Sequence, residues 1–117
     1  MSASKDAGNR GEAMTARYLR GLGYEILASQ YRCRYGEIDL IAKKGGLLCF
    51  VEVKLRSGTR CGLPREAVTA AKQRRIRTTA AYYMAENGDE LNARFDVSEV
   101  YDDAPGGRIV YLEDAFQ

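Results

Sequence analysis

The run Leu47-Leu48-Cys49-Phe50-Val51 is apolar at every position and ends in Glu52-Val53-Lys54. A strand facing solvent on one side alternates apolar and polar residues, whereas a continuous apolar run suits a strand buried on both faces. The segment Leu47 to Leu55 therefore predicts the middle strand of a sheet covered on both sides. Gly36-Glu37-Ile38-Asp39-Leu40-Ile41-Ala42 precedes it as a second strand, and Lys43-Lys44-Gly45-Gly46 lies between as a hairpin turn, Gly-Gly tolerating the positive φ of tight loops.

The flanking segments supply the rest of a layered α/β domain. Asn9 to Leu22 carries Ala13, Ala16, Tyr18, Leu19 and Leu22 at mostly helical spacing, with Asn9 as N-cap and Glu12 three residues on. Tyr24 to Leu27 reads as a short strand. Ser57 to Leu63 reads as a glycine-bearing loop, and Pro64 starts a long helix over Arg65 to Glu86, stopped by Asn87-Gly88. Phe95 and Val97 alternate inward along a strand whose phase breaks at Glu99, leaving Val100 and Tyr101 at its end. Arg108 to Leu112 gives a last short strand. The order is αβββαββ, a mixed β-sheet flanked by helices, and 117 residues without a linker or repeat make one domain.

Composition removes whole classes of chemistry. The chain has no histidine, so it has no histidine general base, Ser-His-Asp triad or His-ligated zinc. Cys33, Cys49 and Cys61 are odd in number and lack CxxC spacing, which supports neither a zinc site nor a disulfide framework. Free thiols point to a reducing compartment, and MSASKDAGNRGEA has no apolar stretch of signal-peptide kind. A cytoplasmic protein without a membrane span is expected. The net charge of +2 is unevenly spread: residues 1–77 hold 16 of the 18 Lys/Arg, a balance of +9, and the remainder is −7. A basic region is the footprint of a polyanion partner, although folding can intermix the two halves.

A hairpin closed at Gly45-Gly46 pairs residues equidistant from the turn, which sets Asp39 opposite Glu52. Two facing carboxylates among apolar neighbours repel unless a cation sits between them. Mg²⁺ takes such hard oxygen ligands and leaves positions for water and phosphate. Lys54 shares Glu52's face and could orient an attacking water or stabilise the phosphorane-like transition state. The other reading of D…ExK is a surface ladder of salt bridges on an edge strand.

These blocks resemble the YraN-like family of small bacterial proteins, which are similar to Holliday-junction resolvases and restriction enzymes of the PD-(D/E)xK nuclease superfamily. The resemblance spans nearly the whole chain. It rests on Gly11-Glu12-Ala13, Gly36-Glu37-Ile38-Asp39-Leu40-Ile41-Ala42, Phe50-Val51-Glu52-Val53-Lys54 with Arg56, Lys72, and Arg94-Phe95-Asp96-Val97. It implies a restriction-endonuclease-like αβββαβ core in which Asp39 and Glu52 bind Mg²⁺ or Mn²⁺ and Lys54 is the catalytic lysine. Glu12 matches the first-helix acid that contributes to the metal site in related nucleases. The superfamily's leading Pro is Ile38 here, a common departure that leaves the ligands intact.

The activity so implied is Mg²⁺-dependent hydrolysis of phosphodiesters in structured or branched DNA. A homodimer would suit a four-way junction, which offers two equivalent strands. Lys72, Arg74, Arg75 and Arg77 on the second helix are expected to contact phosphates, with Lys72 also reaching the active site. Arg56 and Arg60, beside the loop, are expected to grip the backbone. Tyr83 shares a helix face with Ile76 and Ala80, so Tyr82 and Tyr83 read as core or as a dimer seam. Asp96 reads as the acid of a structural salt bridge with Arg94 or a basic neighbour rather than as a distant acid of the site. Two rival functions are a nucleic-acid-binding module that keeps the fold without cleavage and a protein-interaction adaptor using the acidic C-terminal half.

Overall fold

A computed structural model describes residues 3–56, 68–87, 91–101 and 106–117. The chain runs α1 (Ala3–Gly21), β1 (Glu25–Cys33), β2 (Gly36–Lys44), β3 (Leu47–Arg56), α2 (Ala70–Asn87), β4 (Asn92–Tyr101) and β5 (Arg108–Phe116). The strands form one sheet in the order β1-β2-β3-β4-β5. All neighbours are antiparallel except β3 and β4, which are parallel because α2 carries the chain back across the sheet between them.

The expected middle strand is β3, and its side chains divide between two cores. Leu48 and Phe50 pack with Ile76, Ala80 and Tyr83 of α2. Cys49 and Val51 pack with Ala16 and Leu19 of α1. One helix thus covers each face, the arrangement the continuous apolar run requires. Gly11 lets α1 come close: a Cβ there would stand 3.2 Å from Cγ1 of Val53. Across the same face, the hydroxyls of Thr15 and Ser98 share a buried hydrogen bond of 2.8 Å.

Several boundaries differ from the sequence expectation. Asn9 does not cap α1, which begins at Ala3; Asn9 lies inside the helix and its Oδ1 accepts from Gln30 Nε2 at 2.8 Å. The strand read as Tyr24 to Leu27 runs on to Cys33, through a bulge between Ile26 and Ala28 and a positive φ at Gln30. The second helix is described from Ala70 rather than Arg65. Thr69 caps it, its Oγ1 accepting the Lys72 N–H at 3.2 Å. The loop Ser57 to Leu63, Pro64 and Arg65 lie outside the described residues. β4 does end at Tyr101 as expected, and Glu99, where the alternation breaks, is buried at 2% exposure within the strand.

β5 also runs past Leu112 to Phe116, and buried Asp96 explains how. The Asp96 carboxylate accepts from Arg94 at 2.9 Å, from the Tyr111 hydroxyl at 2.7 Å and from the Asp114 N–H at 2.9 Å. Asp114 has a positive φ of 53° at a break in the β4–β5 register, so Asp96 fastens a bulge that lets β5 resume pairing at Phe116. Arg94 also donates to the Tyr24 hydroxyl at 2.9 Å, joining the connection between α1 and β1 to β4. The expected Arg94–Asp96 salt bridge is present and forms the centre of this network.

Candidate functional site

The β2–β3 hairpin keeps its expected register for five pairs, from Lys44↔Leu47 to Leu40↔Val51, and stops there. Asp39 and Glu52, next in line, do not continue the ladder. Leu40 and Ala42 face α1, whereas Ile41 and Ile38, three residues apart, both join the α2-side core. The alternation therefore breaks at Asp39. Its carboxylate turns toward β3 and Oδ2 accepts the Val53 main-chain N–H at 2.8 Å. The strands part at the end of the apolar run, with both carboxylates beside the gap.

Glu52 points toward α2 and is 7% exposed. Its Oε2 lies 2.5 Å from Nζ of Lys72, so the second helix does reach the site. An ammonium there offsets part of the cost of burying the carboxylate. Among the described residues Asp39 has no ion-pair partner of its own. Burial first, and then the nearby Glu52 charge, push its carboxyl up to about 7, with the Val53 N–H and Lys72 opposing the rise. Glu12 of α1 adds to that repulsion from the opposite face. Its own carboxyl is raised chiefly by burial, while a hydrogen bond from Gln30 draws it back.

Lys54 is half-buried and lies beside Glu99 of β4 in the parallel register. Arg56 is committed to that buried acid, Nη2 lying 3.4 Å from Glu99 Oε2. Arg74 and Arg75 are exposed on α2. Arg77 is half-buried and donates to the Gln117 main-chain oxygen at 2.7 Å. Arg60 lies outside the described residues. The fold thus gathers Asp39, Glu52, Lys72 and, through its field, Glu12 at one end of β3, with Arg74 and Arg75 further along α2.

Two contributors escape a sequence reading. Gln30 reaches Asn9 and Glu12 only because of the bulged path of β1. Glu99 looks like an interrupted alternation until β4 is seen to be buried on both faces from Asp96 to Val100.

The donor chemistry fits a hard divalent cation. Two carboxylates crowd one another at the break between strands, where burial and the Glu52 charge raise the Asp39 carboxyl. Mg²⁺ commonly takes one or two carboxylates and completes its shell with water and phosphate. Among the described residues no three carboxylate or thiol groups stand close enough to share one ion, so Asp39, Glu52 and Glu12 are not gathered as a set of three ligands. Lys72 holds the Glu52 oxygen that such a cation would need.

No helix among the described residues is long and apolar enough to cross a membrane. Residues 11–100 match the uncharacterised protein family UPF0102. A UPF0102 protein of Symbiobacterium thermophilum is 52% identical over 107 residues, covering 91% of this chain and 90% of its own. One from Syntrophus aciditrophicus is 45% identical over the whole chain and 93% of its own length. A third, from Rhodococcus jostii, is 46% identical over 93% of this chain and 94% of its own. The family expected from the GEIDLIA and FVEVK blocks is this one, and the chain belongs to UPF0102, the YraN family.

Proposed function

We propose that the protein is a Mg²⁺-dependent endonuclease that hydrolyses phosphodiester bonds in structured or branched DNA. The observation that carries this reading is the pair Asp39 and Glu52 at the break between β2 and β3, with Asp39 raised to about 7 by burial and by its neighbour's charge. Such a pair is costly to a fold unless a cation is bound there for part of the working cycle.

Asp39 and Glu52 would hold the cation, Asp39 already fixed by the Val53 N–H and Glu52 released from Lys72. A divalent cation at this place would supply charge neutralisation on the phosphodiester and a water of lowered pKa. Lys54 follows Glu52 on the α2 side of β3 and presents an ammonium that donates to the attacking water or to a non-bridging phosphoryl oxygen. Lys72, once off Glu52, becomes a second cation for the phosphate. Arg74 and Arg75 extend the positive surface along α2 and hold the backbone without reading sequence.

The test is cleavage of a labelled four-way junction and of a flapped duplex with Mg²⁺ or Mn²⁺, comparing the wild type with Asp39→Ala and Lys54→Ala. The expected result is cleavage by the wild type and loss of about 100-fold or more in each variant, the scale of removing a group that acts on the transition state. Binding that survives both substitutions, with no cleavage by the wild type, would overturn the enzyme reading.

The Lys72–Glu52 ion pair favours one second reading. If the ammonium serves as the permanent counter-charge, the site is closed to metal, and the protein is a nucleic-acid-binding module that retains a nuclease-like fold.

A further inference from the structure

Between the β1–β2 turn and α2 lies an open concavity of about 310 Å³, lined by Tyr35, Ala71, Arg74, Arg75 and Thr78. The turn is held against the helix. Gly36 has φ of +152°, and a Cβ there would stand 3.1 Å from Thr79 Oγ1 and 3.8 Å from Arg75 Cβ, so only glycine permits this approach. Tyr35, next to it, remains 39% exposed. The Tyr82 ring braces it edge-on, with centroids 5.6 Å apart and planes at 62°. The Arg34 guanidinium lies over one face of the Tyr35 ring, 5.0 Å from its centroid, and donates to its hydroxyl at 2.9 Å, which leaves the other face for a ligand.

An aromatic ring in the open is ordinary; this one has a built setting. It is supported from the side by a second aromatic and bordered by three exposed guanidiniums, Arg34, Arg74 and Arg75. Among the described residues none of the three makes an ion pair, and no acid lines the concavity. Flat π surface beside uncompensated positive charge is complementary to a nucleotide, whose base stacks and whose phosphate pairs with arginine. The hollow stands at the small end of the range for ligand sites, ~300–1,000 Å³. Its volume suits one planar group. Paired bases also present only their edges in the grooves, so the ring is open only to a base that has left its stack.

The position relative to the carboxylates matters as well. Lys72 reaches Glu52, and Arg75 follows three residues later on the same helix, about 4–5 Å further along its axis. A strand whose phosphate lies at Glu52 and which follows α2 therefore passes the hollow that Arg75 and Tyr35 line. We propose that Tyr35, with Arg34, Arg74 and Arg75, forms a subsite for one unpaired nucleotide adjacent to the phosphodiester at the carboxylates. Resting on the nuclease reading, it narrows the substrate to DNA with single-stranded nucleotides at a branch or flap and disfavours a continuous duplex.

The test is equilibrium binding by fluorescence anisotropy in EDTA, where cleavage is absent. The probes are an oligothymidylate, a flapped duplex and a continuous duplex, tried with the wild type, Tyr35→Phe, Tyr35→Ala and Arg75→Ala. Tyr35→Ala is expected to weaken binding of the single strand and the flap by about 5- to 100-fold, the effect of removing one base-stacking ring. It should leave the continuous duplex within about twofold, and Tyr35→Phe should bind all three as the wild type does. Arg75→Ala should weaken all three and lower the salt dependence by about one phosphate contact. A thermal melt of Tyr35→Ala equal to the wild type's keeps a fold defect out of the comparison. Equal loss on all three probes, or no loss on the single strand, overturns the subsite and leaves the nuclease reading standing. A wild type that binds none of the probes overturns both.

Discussion

The Asp39 carboxylate accepts the main-chain N–H of Val53 at 2.8 Å, at the point where β2 and β3 stop pairing with one another. One side chain therefore does two things. It satisfies a backbone donor left unpaired on that side by the parting of the strands, and it brings a negative charge up to Glu52. The first stabilises the break and the second opposes it.

Replacing Asp39 separates these two effects. Asn keeps an oxygen for the Val53 N–H and removes the charge, whereas Ala leaves the N–H without an acceptor. In metal-free solution at pH 8, Asp39→Asn should be the more stable protein by about 1 kcal/mol, a melting temperature higher by about 4–8 °C. Asp39→Ala should be less stable than Asp39→Asn by about 1–3 kcal/mol, the cost of an unsatisfied buried donor. Urea unfolding in EDTA measures both differences, and both variants should have lost Mg²⁺-dependent cleavage.

The same carboxyl gives the metal-free protein a defined pH dependence. Its pKa is about 7 in the fold, above the ordinary carboxylate value that it recovers on unfolding. Between about 4 and 7 the folded state therefore binds the extra proton, and stability falls as pH rises through that window. The stabilisation is complete in acid and gone above about 7. Melting temperatures in EDTA at pH 5, 6, 7 and 8 should show Asp39→Asn gaining steadily on the wild type. Added Mg²⁺ should raise the wild-type melting temperature more at pH 8 than at pH 5, where the proton competes; an equal rise at both would show that Asp39 is not a ligand.

How far the sequence revealed this arrangement follows from which interactions are local. Leu47 to Val51 announced a strand buried on both faces, and the Gly45-Gly46 turn set its pairing with Leu40 to Lys44, because a tight turn and a two-residue period leave one register. The break at Asp39 was not legible: it depends on Ile38 joining the α2-side core and on a bond to Val53, both matters of packing. The cap at Thr69 was masked by Pro64, a stronger local signal for a helix start. Asp96 was recognised as the partner of Arg94, but its hold on Asp114 and Tyr111 requires the returning strand β5.

That hold leads to a prediction about stability alone. Asp96 is fully buried and accepts from two side chains and one main-chain N–H. Burial and the bond to Asp96 raise the Tyr111 hydroxyl pKa, so it remains a donor throughout the neutral range. Asp96→Ala should strand Arg94, Tyr111 and Asp114 together and cost about 3–5 kcal/mol, the usual penalty for breaking a buried ion pair from one side. Chemical denaturation measures it. Proton exchange at the amides of β5 beyond Leu112 should accelerate more than exchange in β2, because the bulge loses its fastening while the central hairpin keeps its own.

Lys72 provides the sharpest division between a working metal site and a silent one. Its ammonium sits on the Glu52 oxygen, and 41% of its side chain remains exposed. Lys72→Met should destabilise the metal-free protein by about 1–2 kcal/mol, less than for a fully buried pair because solvent reaches the partner. If a cation takes the place of the ammonium, that deficit should close as Mg²⁺ is added. The Lys72→Met variant should also reach half-saturation at lower Mg²⁺ than the wild type, since no side chain then competes for Glu52. Calorimetric titration and melting curves across a Mg²⁺ series measure both effects. A deficit unchanged at every Mg²⁺ concentration would make Lys72 the permanent counter-charge, and the protein a binding module.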